Sequence, residues 1–139
     1  LVQEDCLPPL PVQEDGEWVG RPRPDLWEDL MLAWKAAALS KSNAISIVRD
    51  LEAVGIGRGF CSRLHAVEFA AAQAGERARG AVLGSDAFFP FPDGVEAAAR
   101  AGVAAIIQPG GSQKDSQVFE AAERLGISMF ISGSRTFRH

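Results

Sequence analysis

The sequence offers little for covalent or metal-based stabilisation. Its cysteines are Cys6 and Cys61, too few for a disulfide framework or a structural zinc site. Both are expected to be free thiols of a cytoplasmic protein. No apolar run approaches the roughly 20 residues that a membrane helix needs. The opening Leu1-Val2-Gln3-Glu4-Asp5 has neither a basic n-region nor an apolar h-region, so no signal peptide is expected. It also lacks an initial Met, which leaves room for residues ahead of Leu1. Positive charge is in deficit, with 14 Lys and Arg against 18 Asp and Glu and a net charge of −4. Broad nucleic-acid binding wants a basic face, so it is excluded, and any anion site has to be local. The zinc-deaminase signature His-x-Glu with a later Pro-Cys-x-x-Cys is missing. Its nearest fragment, His65-Ala66-Val67-Glu68, has the wrong spacing and no cysteine pair. The nucleophile-elbow pattern Gly-x-Ser-x-Gly is missing too.

What is present suits one α/β domain. The chain has 139 residues, 47% of them hydrophobic and 23% charged, and such a length buries roughly 68–70% of its unfolded surface. Residues 1–25 are proline-rich and acidic, and read as an extended arm or loop, with room for a short strand at its start. The domain proper is expected over 26–139. Asp25 is placed to cap a helix over 26–39 whose broad apolar face includes Leu26, Leu30, Trp34 and Leu39. Ala44 to Val48 reads as a strand by its β-branched content, and Val54 to Gly57 as a second, after a turn at Asp50-Leu51-Glu52. Ser62 is placed to cap an alanine-rich helix over 63–79. Strands at 81–83, 103–107 and 127–131 then alternate with helices at 94–101 and 114–125. Such alternation implies crossover units and a largely parallel sheet with helices on both faces, and ligands outside the carboxyl ends of the strands.

Four stretches at those ends attract attention. Pro109-Gly110-Gly111-Ser112 is either a tight turn with a Ser cap or an anion contact, because glycines admit close backbone approach and a helix start presents free N–H groups. Gly55 to Arg63 is a second glycine-rich turn, but its alternate glycines are not the dinucleotide fingerprint. Arg63 opposes the dipole of the helix it opens, which suits either a solvated side chain or a nearby anion. Asp86-Ala87-Phe88-Phe89-Pro90-Phe91-Pro92-Asp93 places three Phe in one short loop. It is either folded onto the core or forms an aromatic wall for a flat ring, with a carboxylate for ring N–H groups. Arg135-Thr136-Phe137-Arg138-His139 is basic in an acidic chain, and is either an inert tail or the closing side of a phosphate site.

Taken in order, Lys41-Ser42-Asn43-Ala44-Ile45, Gly55-Ile56-Gly57-x-Gly with Ser62-Arg63, Ser85 to Phe91, Gln108 to Ser112 and Arg135-x-Phe137-Arg138-His139 resemble one family. It is the aminoimidazole carboxamide ribonucleotide (AICAR) transformylase region of the bifunctional purine biosynthesis protein, AICAR formyltransferase/IMP cyclohydrolase. The resemblance is to the second, C-terminal half of that region and covers nearly the whole chain. It implies a three-layer α/β/α cytidine-deaminase-like domain with a mixed, mostly parallel sheet and no zinc or other metal. It implies 10-formyltetrahydrofolate as co-substrate and a homodimer, with no nucleic-acid or membrane partner. Carried over by position, Asn43, Arg63, Arg135 and Phe137 match nucleotide-side residues, with Gly110, Gly111 and Ser112 beside them. Phe88, Phe89, Pro90 and Asp93 match the folate side, and His139 matches a terminal histidine near the site, the one local candidate for a catalytic base.

The departures are specific. The family's Lys-His pair belongs to the first half and has no counterpart here. Pro92 stands where many relatives have a basic residue, and Arg58 and Phe60 replace a smaller residue and an amide. The expected function is therefore part of a folate-dependent formyltransferase in purine biosynthesis, acting with a second copy or with a chain carrying the missing half. The alternatives are a stand-alone relative that reuses the pocket on a heteroaromatic or acyl substrate, and a non-catalytic binding or assembly module.

Overall fold

Side chains along the central strands alternate between two apolar layers, as a pleated sheet requires. The computed structural model describes residues 10–132. Its elements are β1 Glu17–Val19, α1 Trp27–Ala38, β2 Ile45–Arg49, β3 Glu52–Gly57, α2 Arg63–Ala74, β4 Val82–Ser85, α3 Asp93–Ala101, β5 Ala105–Gln108, α4 Asp115–Arg124 and β6 Ser128–Ile131. Short 3-10 turns occupy Gln13–Asp15, Pro24–Leu26 and Gly75–Ala78. Ile45, Ile47, Leu83, Ile106, Met129 and Ile131 face α2, α3 and α4, whose Ala66, Val67, Ala70, Val95, Ala98, Val118 and Ala122 complete that layer. Val48, Val82, Ala105, Ile107 and Phe130 face the other way, onto Leu30 and Ala33 of α1. Helices on both faces make the three-layer α/β/α architecture that the resemblance implies.

The sheet order is β1-β6-β5-β4-β2-β3. Strands β4, β5 and β6 pair in parallel, while β2 is antiparallel to both β4 and β3, and β1 to β6. Strand β3 therefore points the same way as β4, and four of the six strands share one direction. The sheet is mixed and mostly parallel in direction. Strand β1 lies inside the segment read as an arm. Its Trp18 packs edge-on against Phe130 and Trp27, with ring centroids 5.1 and 6.5 Å away.

Two local expectations change. Asp25 does not cap α1. Pro24 opens a 3-10 turn that moves the helix start to Trp27, and the Asp25 carboxylate instead accepts from Nε and NH2 of Arg23, both at 3.0 Å. That side-chain hydrogen bond holds the Asp25 carboxyl below its usual range. Helix α2 stops at Ala74, because Gly75 turns to φ 62° and a 3-10 turn follows. The Ser62 cap is as expected, accepting from the His65 amide at 3.0 Å.

Candidate functional site

The cluster at the carboxyl end of β4 is built around one carboxylate. Asp86 follows Ser85, the last residue of β4, and its side chain is 10% exposed. It accepts from the Ser42 hydroxyl, from the Ala44 amide at 3.1 Å and from NH1 of Arg63. Ser42 and Ala44 belong to the segment between α1 and β2, and Arg63 to the first turn of α2. One side chain thus ties together three segments distant in sequence.

Arg63 is neither solvated nor free. The residue is 8% exposed. Beyond its ion pair with Asp86, NH1 donates to the Ser85 hydroxyl at 3.3 Å and the Ala44 carbonyl at 3.4 Å. NH2 donates to Oδ1 of Asn43 at 2.6 Å. Among the described residues its buried Nε finds no acceptor. The Asp86 carboxylate offsets the unfavourable placement of a cation at a helix N-terminus. The Asn43 amide is held in turn by Nδ2 donating to the Phe60 carbonyl at 2.9 Å.

A cavity of about 510 Å³ opens onto this cluster. It is lined by Asn43, Cys61, Ser62, Arg63, Leu64, Ala87, Phe88, Pro90, Phe91 and Asp93. Asn43, Arg63, Phe88, Pro90 and Asp93, all singled out from the sequence, thus converge there. Phe88 is 40% exposed and presents its ring to the cavity. Asp93 stands in the first turn of α3, where a carboxylate suits the helix dipole. A larger cavity of about 690 Å³ lies between β3 and α2, lined among others by Arg58, Phe60, Phe69 and Gln73. Among the described residues, its one charged lining residue is Arg58, and no buried ion pair faces it. The smaller cavity, with its fixed polar groups beside aromatic wall, is the better ligand site.

Two expectations are corrected. Phe89 is not part of the aromatic wall, because it is fully buried in the core, where its ring fills the space over Gly94. The amides of Gly110, Gly111 and Ser112 are not open to an anion. Gly110 N–H donates to Oε1 of Gln108 at 3.0 Å, and Gly111 and Ser112 donate to the Asp115 carboxylate at 2.8 and 3.0 Å. The chain's own carboxylate occupies the place of the expected anion. The loop is a tight turn but without the expected Ser cap: the Ser112 hydroxyl accepts from Lys114 N–H at 2.9 Å inside the turn, and α4 opens after Lys114 with no side-chain cap. The loop still borders the site, since a Cβ on Gly111 would lie 4.0 Å from Phe88 Cδ2.

Sequence reading passed over Asp86 and Gln108 as individual site residues. Gln108 is fully buried, and its Oε1 also accepts from Phe89 N–H at 3.3 Å, joining the two loops. A polar residue at the end of a buried apolar strand, Gln108 within β5 and Asp86 just past β4, is the available signal for both. Arg135, Phe137 and His139 lie outside the described residues, as does Cys6. Cys61 is a free, exposed thiol on the cavity rim. Among the described residues, no three His, Cys, Asp or Glu side chains gather as a metal site would need, and no helix is long and apolar enough to cross a membrane.

The family model described as AICARFT/IMPCHase bienzyme matches residues 10–73. The bifunctional purine biosynthesis protein PurH of Bacillus subtilis is 51% identical over 118 residues, covering 85% of this chain and 23% of that protein. PurH of Thermoanaerobacter sp. is 54% identical over 112 residues, 81% of this chain and 22% of the relative. PurH of Cyanothece sp. is 45% identical over 141 aligned residues, 100% of this chain and 27% of the relative. The chain thus spans about a quarter of the length of these curated relatives. Among solved structures, Acinetobacter baumannii RibD, form 2, superposes with a TM-score of 0.49 at 24% identity, over 77% of this chain and 34% of that one.

Proposed function

Since the chain belongs to the AICARFT/IMPCHase bienzyme family, we propose that it forms one side of a formyl-transfer site in purine biosynthesis. The ligands are AICAR and 10-formyltetrahydrofolate. In the reaction, the ribonucleotide's exocyclic amine attacks the formyl carbon carried on N10 of the folate. A tetrahedral oxyanion forms and collapses, the amine loses a proton, and tetrahydrofolate leaves protonated on N10. This chain binds and orients. Asn43 and Arg63 meet the ribonucleotide, with Arg135 and Phe137 closing its side. Phe88, Pro90 and Asp93 meet the folate. His139 is the local candidate for the base, and the Lys-His pair comes from another polypeptide segment. The assembly is a dimer of this chain or its complex with a chain that carries that pair, and only the complex holds the complete site.

The observation that supports this reading is the convergence of Asn43, Arg63, Phe88, Pro90 and Asp93 on one cavity. The test is a calorimetric titration of the purified chain with AICAR and with a reduced folate, separately. Both are expected to bind. Hydrogen bonds to a charged group contribute about 1.5–3 kcal/mol. Arg63→Ala should therefore weaken AICAR binding roughly ten- to a hundred-fold, and Asp93→Ala should weaken folate binding alone. If neither ligand binds, or if both variants bind as the parent does, the reading is wrong.

A further inference from the structure

We infer that Asp86 is a positioning residue of this site, acting through Arg63 and Asn43 rather than by touching the ligand. It does not line the cavity, yet the segments that do are tied to it. Its carboxylate receives Ser42 and Ala44, which flank Asn43, and it receives Arg63. Asn43 and Arg63 are in turn joined to each other at 2.6 Å. The aromatic wall starts just beyond Asp86 on the same loop. With NH1 held by Asp86, Ser85 and Ala44, the guanidinium plane is fixed before a ligand arrives. That arrangement pre-organises its remaining donors and reduces the ordering cost of binding. The assignment rests on the reading of this cavity as a ligand site, and it fixes the sign of a charge substitution. Asp86→Asn removes a negative charge, which by electrostatics alone favours an anionic ligand. Positioning predicts the opposite.

The test has a ligand-free arm and a binding arm, both on the 139-residue chain. In proton–nitrogen NMR spectra, the Nε–Hε signal of Arg63 should be separate from those of exposed arginines and slow to exchange, because Nε is buried. In Asp86→Asn it should merge with them while the backbone amide spectrum of the sheet is preserved. In the binding arm, Asp86→Asn should weaken AICAR about tenfold, as loss of one charge-assisted interaction implies. In an Arg63→Ala background the further loss should be clearly smaller, because much of the effect runs through Arg63. An unchanged Arg63 signal overturns the proposal. So does equal or tighter AICAR binding by Asp86→Asn, or a loss that adds fully to that of Arg63→Ala. Should Asp86→Asn not fold, Ser42→Ala removes one donor to the carboxylate and should give about a threefold loss, again smaller without Arg63. No loss there overturns the proposal as well. If the parent chain binds no AICAR, the functional reading fails, and the NMR arm still decides the role of Asp86.

Discussion

Adjacent side chains on the loop after β4 meet different surroundings, and their substitutions should separate cleanly. Phe89 is fully buried over Gly94, so Phe89→Ala should cost about 3–5 kcal/mol in urea unfolding through lost burial and a cavity. Phe88 is 40% exposed on the cavity. Phe88→Ala should change stability by about 1 kcal/mol or less, yet weaken folate binding. Equal destabilisation by the two would remove the distinction between wall and core. The sequence revealed that this loop carries unusual aromatic area, but not which ring turns inward. An irregular loop has no period to assign faces. Arg63 shows the same limit. Its conflict with the helix dipole was legible, whereas its resolution by Asp86 was not, since those residues are separated by 23 positions and no local spacing rule joins them.

Helices and strands approach one another in this fold where glycine lets them. A Cβ on Gly84 would lie 2.5 Å from the Ala33 carbonyl carbon of α1, and one on Gly55 would collide with the Ala70 carbonyl of α2. Both obstacles are helix backbone, which cannot rotate aside. Gly84→Ala should therefore destabilise the chain by about 1–3 kcal/mol through overpacking, and a denaturation midpoint at or above the parent's would contradict this. The alternating glycines of β3 were legible as a glycine-rich approach to a helix. Their use in packing α2 was visible only once the strand lay beneath it. The β2–β3 turn has a similar dependence on distant groups. Asp50 and Leu51 take φ 53° and 61°, a region costly for residues with a Cβ. Their amides donate to the Asp29 carboxylate at 3.2 and 2.8 Å. Asp29→Ala should cost about 1 kcal/mol and speed amide hydrogen exchange at Leu51. Unchanged exchange there would show that the turn stands without it.

At the scale of the whole molecule, strand and helix alternation made the layered α/β fold readable from residue 44 onward, because each element has its own period and turn chemistry. Strand β1, three residues long in a proline-rich stretch, was not readable. What secures it is Trp18 against Phe130, more than 100 positions along the chain. The chain covers about a quarter of the length of its relatives, and on the proposed reading the Lys-His pair comes from another polypeptide segment. The pure protein should therefore bind ligands and still fail to turn over. Formyl transfer needs the amine held against the formyl carbon, a base for its proton and stabilisation of the oxyanion. Losing a positioned acid–base group alone typically costs 10²–10⁴-fold, and losing the facing wall of the pocket adds a positioning penalty. His65 does not substitute, since it is exposed on α2 and absent from the cavity lining. Folate turnover followed spectroscopically should stay at the buffer rate for the chain alone and rise when a chain bearing the Lys-His half is added. In that mixture, Arg63→Ala should lower the rate. Steady turnover by the 139-residue chain alone, abolished by His139→Ala, would instead place the base in this chain and make the Lys-His half dispensable.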